Sequence, residues 1–343
     1  MVSLQEKRRQ KLSFGNGGAL LSPDKSSPSP LAQNYHGLYT VRKVEGADAL
    51  KKAVRGAGKA NHQYDPIPLD LSSLESVRKV ATDINARVAS GEIPPLRVLV
   101  LSAAYQDHFN QELTEDGFDM TFQTTYLSHF LLTLLLLQSL DKDEGRVVVI
   151  GSWSHDTTDP RNNVGPFGNC FVPEEFHQIF TDPEGSTEPV AKGKFGIPAG
   201  RTEDPVAGRE LARRIAKDPA LSKVSVLSVD PAAMMSGIAR RSSWVVRVLI
   251  IGIIGQLLAP LATWLNPQGD LRTTWKSAGD AIHASFDTDG GLGEHPNGLY
   301  LNGSVVADVG PEAKDETKCR RLWSDTLGYA GIKEGDTVLA DWK

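Results

Sequence analysis

Residues 146–156 read RVVVIGSWSHD, and the reading of this stretch decides the fold. Val147 to Ile150 is an unbroken β-branched run. A strand that is apolar at every position is covered on both faces, as in a parallel sheet. It stops at Gly151-Ser152-Trp153-Ser154-His155, small and hydroxyl residues of the kind that face a cleft at the carboxyl end of a strand. Ser152 is the first candidate functional residue, and its partners are the question.

Two similar runs flank it, RVLVLSAA at 97–104 and VSVLSVDP at 224–231. Shorter strand candidates are GLYTV at 37–41, IPLDL at 67–71 and GLYLNG at 298–303. Between them, Leu74, Val77, Val80, Ile84 and Val88 recur with helical spacing, and a leucine-rich helix is expected from Gly117 to Leu140. Further helices are expected at Val206–Lys217 and Thr273–Phe286, and a polar one near Asp48–Arg55. Strands alternating with helices predict an α/β fold, a doubly wound parallel sheet in one domain. Ligands of such sheets bind beyond the strand carboxyl ends, here Arg42, Asp70, Ser102, Ser152 and Asp230-Pro231.

The first 36 residues fit this pattern poorly, because prolines at 23, 28 and 30 break helix and strand alike. They read as a divergent N-terminal segment with an incomplete first βα unit. The domain proper is expected over 37–310, followed by a polar tail at 311–343. The stretch Trp153 to Asp204, dense in Pro, Gly and Asp, reads as loop. From Val248 to Gly269 there are 22 residues without a charge, with Trp244 and Trp264 near the ends. Gln256, Pro260 and the polar 266–269 argue against a span. Residues 244–269 are therefore read as a buried helix pair or a lid over an apolar pocket, with contact of 244–265 with a membrane surface as the alternative.

A net charge of −5 excludes general affinity for nucleic acid. Cys170 and Cys319 are isolated, which gives neither metal-ligand spacing nor a disulfide framework and fits a reducing, cytoplasmic setting. The basic N-terminus has no apolar core of a secretory signal. His155 and Asp156 beside Ser152 suggest a hydrolase triad on paper. However, Gly151-Ser152-Trp153-Ser154-His155 is not the Gly-x-Ser-x-Gly elbow that such serines occupy.

Four elements in order resemble the short-chain dehydrogenase/reductase family, in its retinol-dehydrogenase-like and fungal branch. LDLSSLESVR at 69–78 is similar to the Asp-Leu adenine contact, DGFDMTFQTTYLSHFLLTLLLL at 116–137 to the long central helix, RVVVIGS to the catalytic-serine strand and VSVLSVDPAAM to the strand end beside the nicotinamide. The resemblance implies a Rossmann-like fold with Ser152 as catalytic serine. It implies cofactor contacts from Gly18, Arg42, Asp70, Ser102, Ala103 and Pro231, and Arg42 suits the 2′-phosphate of NADP. It places Thr125 where the family has its active-site Asn.

The chain also departs from the family. The family's catalytic Tyr, with a Lys one helical turn later to lower its pKa, belongs on the helix after the serine strand. Family spacing puts Ile197 and Arg201 there, and no tyrosine lies between Tyr126 and Tyr300. Two Tyr-x-x-x-Lys strings, Tyr39 to Lys43 and Tyr329 to Lys333, lie elsewhere. In the glycine loop, SFGNGGAL at 13–20, only Gly18 keeps a family glycine, and LQEKRRQKL before it cannot form a buried strand. Pro231 is followed by Ala232 where the family has Gly. Three readings follow: an NADP(H) oxidoreductase acting on a carbonyl or alcohol of an apolar small molecule, in fungal secondary metabolism; a non-redox enzyme (cyclase, isomerase or dehydratase) or inactive binding protein on the same scaffold; and a chain in which segments of an active relative are missing. Oligomeric state is not legible.

Overall fold

The computed structural model describes residues 19–23, 35–45, 48, 50–51, 63–105, 112–156, 158–163, 200–234 and 256–343. Its centre is an eight-stranded sheet. In chain order the strands are β1 (Ala19–Pro23), β2 (Tyr35–Val41), β3 (Tyr64–Pro68), β4 (Val98–Leu101), β5 (Arg146–Ile150), β6 (Ser225–Asp230), β9 (Leu299–Asn302) and β10 (Val305–Ala307). The spatial order is β10-β9-β6-β5-β4-β1-β2-β3. β4, β5, β6 and β9 pair parallel, as do β2 and β3, while β10 closes antiparallel on β9. Two short strands, β7 (Ala233–Met234) and β8 (Leu271–Arg272), form a separate parallel pair.

The expected sheet is present, with one correction at its centre. The slot between β2 and β4 is filled by β1, which runs antiparallel to both. The segment read as divergent, with an incomplete first βα unit, thus supplies an interior strand. Backbone groups of β2 and β4 would otherwise lack partners, and five residues satisfy both sides of the gap. Pro23, expected to break a strand, only ends this one, opposite Tyr35. Pro66 and Pro68 are tolerated in β3 because it lies at the sheet edge.

Helices cover both faces. α1 (Leu74–Ala89) is capped by Ser73 Oγ, which accepts from Ser76 N, and it buries Val77, Val80, Ala81 and Ile84 as the spacing predicts. The central helix α2 (Met120–Ser139) starts at Asp119, whose carboxylate accepts from Thr121 N and Phe122 N. It holds a π turn at Gln123–Leu127 and ends in a 3-10 turn at Leu137–Ser139. This helix is long and apolar enough to cross a membrane, but 83% of its apolar window is buried in the core. α3 (Gly200–Ile215) begins earlier than expected and runs through Pro205. The strand pair β7–β8 brackets α4 (Gln256–Leu265), and β8 leads into α5 (Thr274–Phe286).

The polar tail expected at 311–343 contains two helices, α6 (Pro311–Lys314) and α7 (Glu316–Ala330). α7 buries Cys319, Leu322, Trp323, Thr326, Leu327 and Ala330, a stripe at helical spacing hidden among five intervening polar or small residues and Tyr329. The polar helix expected near 48–55 lies mostly outside the described residues, as do Cys170, residues 164–199 and residues 235–255.

The first residue of the opening stretch has a structural role. Arg146 is fully buried, and its Nη1 donates to the carbonyls of Ala284 (2.9 Å) and Asp287 (2.8 Å) at the end of α5. A guanidinium there satisfies carbonyls that have no intrahelical donor and locks α5 against β5. Burial pulls its pKa down to about 10, which still leaves it charged at neutral pH.

Candidate active site

Ser152 follows β5 in an extended conformation, half-buried, one residue after Gly151 N bonds Val229 O at 2.9 Å. Its Oγ accepts from Ser154 N at 3.2 Å and so caps a 3-10 turn, Trp153–His155. His155 Nδ1 lies 2.7 Å from the Ser152 carbonyl, and Nε2 accepts from Gly310 N at 3.0 Å. One nitrogen must donate and the other accept, so the ring is the neutral Nδ1–H tautomer. Burial lowers its pKa and reinforces this. Both nitrogens are committed to backbone, so His155 does not serve Ser152 as a base, and the triad reading fails on geometry.

Beside this turn, Arg161 makes a two-toothed ion pair with Asp159 (Nη2 to Oδ2 at 2.5 Å, Nε to Oδ1 at 2.9 Å), reaches Asp270 at 2.5 Å and stacks over Trp153 at 4.6 Å. Asp270 precedes β8, so Arg161 ties the serine loop to the chain returning from α4. Tyr300 packs against His155 with ring centroids 4.6 Å apart. Its buried hydroxyl has no hydrogen-bond partner among the described residues, and burial raises its pKa, so it remains a neutral phenol.

The next strand end is held from below. Asp230 Oδ1 accepts from Ala232 N at 2.8 Å, and this tight turn sets Ala232 at φ +58°. The Asp230 carbonyl accepts from Arg272 Nη1 (3.1 Å) and the Pro231 carbonyl from Ser277 Oγ (2.7 Å). Arg272 and Asp280 are both buried, with Lys276 bonded to Asp280 and Asn302 to Arg272. Burial raises the Asp280 pKa despite these cations. Gly303, at φ +64°, leaves the room this network occupies. Nothing in the sequence marks Arg272 or Tyr300 as site-supporting residues, because Asp230 and Asn302, which Arg272 reaches, and His155, against which Tyr300 packs, lie 30 to 145 positions away.

On the other half of the sheet, Arg42 and Asp70 follow adjacent parallel strands, joined by Leu69 N to Val41 O at 2.9 Å. Burial opposes ionisation of Asp70. Hydrogen bonds from Ser72 and the nearby Arg42 charge overcome it and hold the pKa below the ordinary value. Arg42 and Asp70 thus lie near enough for the Arg42 charge to act on the Asp70 carboxyl. Ser102 is half-buried and Ala103 buried at the end of β4. Thr125 is buried in the π turn, where its Oγ1 accepts from Tyr105 N at 3.2 Å. It braces the chain leaving β4, and the neighbouring Tyr105 hydroxyl donates to Glu112 at 2.7 Å.

Gly18 lies outside the described residues. Ala19, which follows it, stands opposite Val100 and Tyr39, near the carboxyl ends of β4 and β2. The residue after the glycines thus opens a strand on the side of the sheet that carries Ser102 and Arg42. Arg201 falls in the first turn of α3, and Ile197 lies outside the described residues. Neither Tyr–Lys string reaches the site. Tyr39 sits in β2 against Tyr64, with its pKa pushed up to about 12 by burial, and Tyr329 packs on Phe118 and Phe122 from α7.

A family model described as short chain dehydrogenase matches residues 31–164. The chain is 49% identical over 339 residues to the short-chain dehydrogenase iccH of Talaromyces variabilis, covering 91% of this chain and 92% of that one. The chain belongs to the short-chain dehydrogenase family. Within the family it is 29% identical to the polyprenol dehydrogenase of Mus musculus, over 80% of this chain and 71% of that one. A crystal structure of an uncharacterised Mycobacterium paratuberculosis protein superposes with a TM-score of 0.52 at 18% identity, over 86% and 84% of the two chains, which bears on the fold alone.

As a family oxidoreductase the chain is expected to bind a nicotinamide dinucleotide. The residues fit its adenosine end, where Arg42 and Asp70 converge. The pyrophosphate end departs from the pattern. The family cradle is a parallel first strand, a glycine turn and a helix N-terminus, whereas here the strand after the glycines runs antiparallel.

Proposed function

We propose that this short-chain dehydrogenase uses NADP(H) to interconvert a carbonyl and an alcohol on an apolar small molecule, in fungal secondary metabolism and in the cytoplasm. The observation that carries this reading is the convergence of Arg42 with Asp70 at one half of the carboxyl edge, and of Ser152 with Asp230-Pro231 at the other. Arg42 supplies a positive charge for a 2′-phosphate, and Asp70 an acceptor for the adenine amine. The bound cofactor would supply the hydride. Ser152 is the residue to hold the substrate oxygen, since its hydroxyl donor is not used by the Ser154 N–H it accepts from. An apolar substrate is supported by the uncharged 248–269 segment and by the name of the polyprenol dehydrogenase relative. The fungal relative supports the setting, and the buried Cys319, with its pKa pushed up to about 11 by burial, fits a compartment without disulfides.

A second reading is favoured by one observation. Arg201 stands where the family has Lys, and a guanidinium that stays charged is a poor proton donor. Combined with the absence of tyrosine from 127 to 299, this suits a scaffold that binds the dinucleotide or performs non-redox chemistry. Titration with NADPH, followed by cofactor fluorescence, separates the two. Saturable binding with consumption of NADPH on a panel of apolar ketones is expected, and Ser152→Ala should lower kcat by about 100-fold. No saturable binding would sink the first reading. Binding without turnover, or a conversion that needs no cofactor, would favour the second.

A further inference from the structure

Reducing a carbonyl takes a proton as well as a hydride, because the oxygen gains an electron pair as the hydride arrives. Ser152 can hold that oxygen, but a serine hydroxyl is a poor acid, so the proton needs another source. A phenol carries one at neutral pH, and the chain has seven tyrosines. Tyr35 and Tyr64 open β2 and β3 at the amino edge of the sheet, and Tyr39 packs against Tyr64. Tyr126 bonds Thr326 at 2.9 Å inside the core, and Tyr329 lies on α7 against Phe118. Tyr300 lies within β9, with His155 packed on its ring. Only Tyr105 leaves the carboxyl end of a strand, β4, four residues after Leu101.

β4 and β5 are parallel neighbours with Leu101 opposite Val149, and such strands lie about 4.8 Å apart. Tyr105 and Ser152 therefore leave the sheet side by side on the same edge. The Tyr105 amide donates to Thr125 Oγ1 at 3.2 Å, which fixes its backbone. Its side chain is buried, and its hydroxyl donates to Glu112 Oε2 at 2.7 Å. Glu112 is an exposed residue, and its carbonyl accepts from Met120 N at the start of α2 (2.8 Å). The Thr125 and Met120 bonds already tie these segments together, so the fold does not call for a phenol bonded to a carboxylate. Such a pair, buried at one end and open to water at the other, is a two-step path for a proton between the sheet edge and solvent.

We propose that Tyr105 exchanges the proton of the substrate oxygen, with Glu112 passing it to and from solvent. This role rests on the oxidoreductase reading. In the oxidation direction the alcohol O–H breaks and its proton goes to the Tyr105 oxygen as the phenolic proton passes to Glu112. The electron pair left on the substrate oxygen forms the carbonyl bond, and the C–H pair leaves as hydride to NADP. Reduction runs the same path backwards, with Glu112 taking its proton from water.

Kinetics of the full chain with NADPH and a panel of apolar ketones test this. Tyr105→Phe should bind NADPH as the unsubstituted chain does, yet lose about 100-fold in kcat without a matching rise in KM. Glu112→Ala should be slow as well and regain rate as acetate is added, which a packing defect would not do. In the free chain, the tyrosine ring carbon-13 resonance that Tyr105→Phe removes should move in Glu112→Gln. Should Tyr105→Phe fail to fold, the two Glu112 variants decide. Full turnover by Tyr105→Phe, a slow Glu112→Ala that acetate leaves slow, or an unmoved resonance would overturn this role and leave the oxidoreductase reading standing. An unsubstituted chain that binds no NADPH, or binds it and reduces none of the ketones, would overturn both.

Discussion

His129 and His155 are both buried and both neutral, for the same reason: burial disfavours the charged ring by more than the hydrogen bonds and, at His155, the nearby Asp156 and Asp159 charges favour it. Burial brings His129 down to about 4, against an opposing hydrogen bond to the Thr125 backbone. In the unfolded chain a histidine protonates near 6.5, so below that pH the unfolded state binds protons that the native state refuses. Stability is therefore present above about pH 6.5 and is lost as pH falls toward 4, by up to about 1.4 kcal/mol per pH unit for each histidine. His283 acts in the opposite sense. A hydrogen bond to Asp287 raises its pKa, so its contribution is lost as pH rises through the folded value. Urea midpoints should fall between pH 7 and pH 5, and His129→Leu should flatten that slope; an unchanged slope would exonerate His129. Ala232 makes a separate prediction. An alanine at φ +58° carries strain on the order of 1 kcal/mol, and Ala232→Gly removes it at a smaller entropic cost. Urea titration should show a gain of about 0.5 kcal/mol, and a loss would mean that the Cβ makes contacts worth more than the strain.

Besides the helices of the C-terminal segment, three elements differ from their sequence expectation, each because its role depends on something distant. β1 has no alternation or β-branched run that announces a strand; it exists because β2 and β4 leave a slot between them. The π turn in α2 is not encoded by glycine or proline, and it sets Thr125 where its hydroxyl receives the Tyr105 amide. α3 tolerates Pro205 because its later turns are anchored elsewhere. Arg214 Nε donates to the buried Glu210 at 2.7 Å, its guanidinium lies over the Trp323 ring at 4.7 Å, and it reaches the carbonyls of Asp341 and Lys343. Glu210, opposed by burial, is held ionised by hydrogen bonds from Arg213 and Arg214. Removing one partner of such a buried pair strands the other charge. Arg214→Met should cost about 3 kcal/mol in urea unfolding, and Arg214→Met with Glu210→Leu should recover much of it. A single substitution that costs nothing would show that the pair is solvated.

The C-terminal residues close the molecule. Arg78 in α1 donates to the carbonyls of Ala330 and Gly331 and to Asp336, and the Trp323 indole donates to the Trp342 carbonyl at 2.7 Å. Asp218 accepts from Ala340 N at 2.9 Å. Deleting 334–343 removes these ties together with two acceptors of Arg214. The truncated chain should lose on the order of 3 kcal/mol and unfold at lower temperature. An unchanged melting temperature would show that the segment only decorates the surface.

The alternation of apolar runs with helical periodicity was enough to determine the parallel sheet and its strand ends, because a buried strand must be apolar at every position and this is written locally; the family was legible only through the resemblance of four motifs in order. RVVVIGS, and the strand ends at Arg42, Asp70 and Pro231, could all be placed from that pattern. The filling of the central slot by a reversed β1, the neutral tautomer that takes His155 away from Ser152, the Arg272 support beneath Asp230-Pro231 and the helical C-terminus were decided only by tertiary structure. Each depends on a hydrogen bond or a burial between residues far apart in the chain, and such partners leave no local signal.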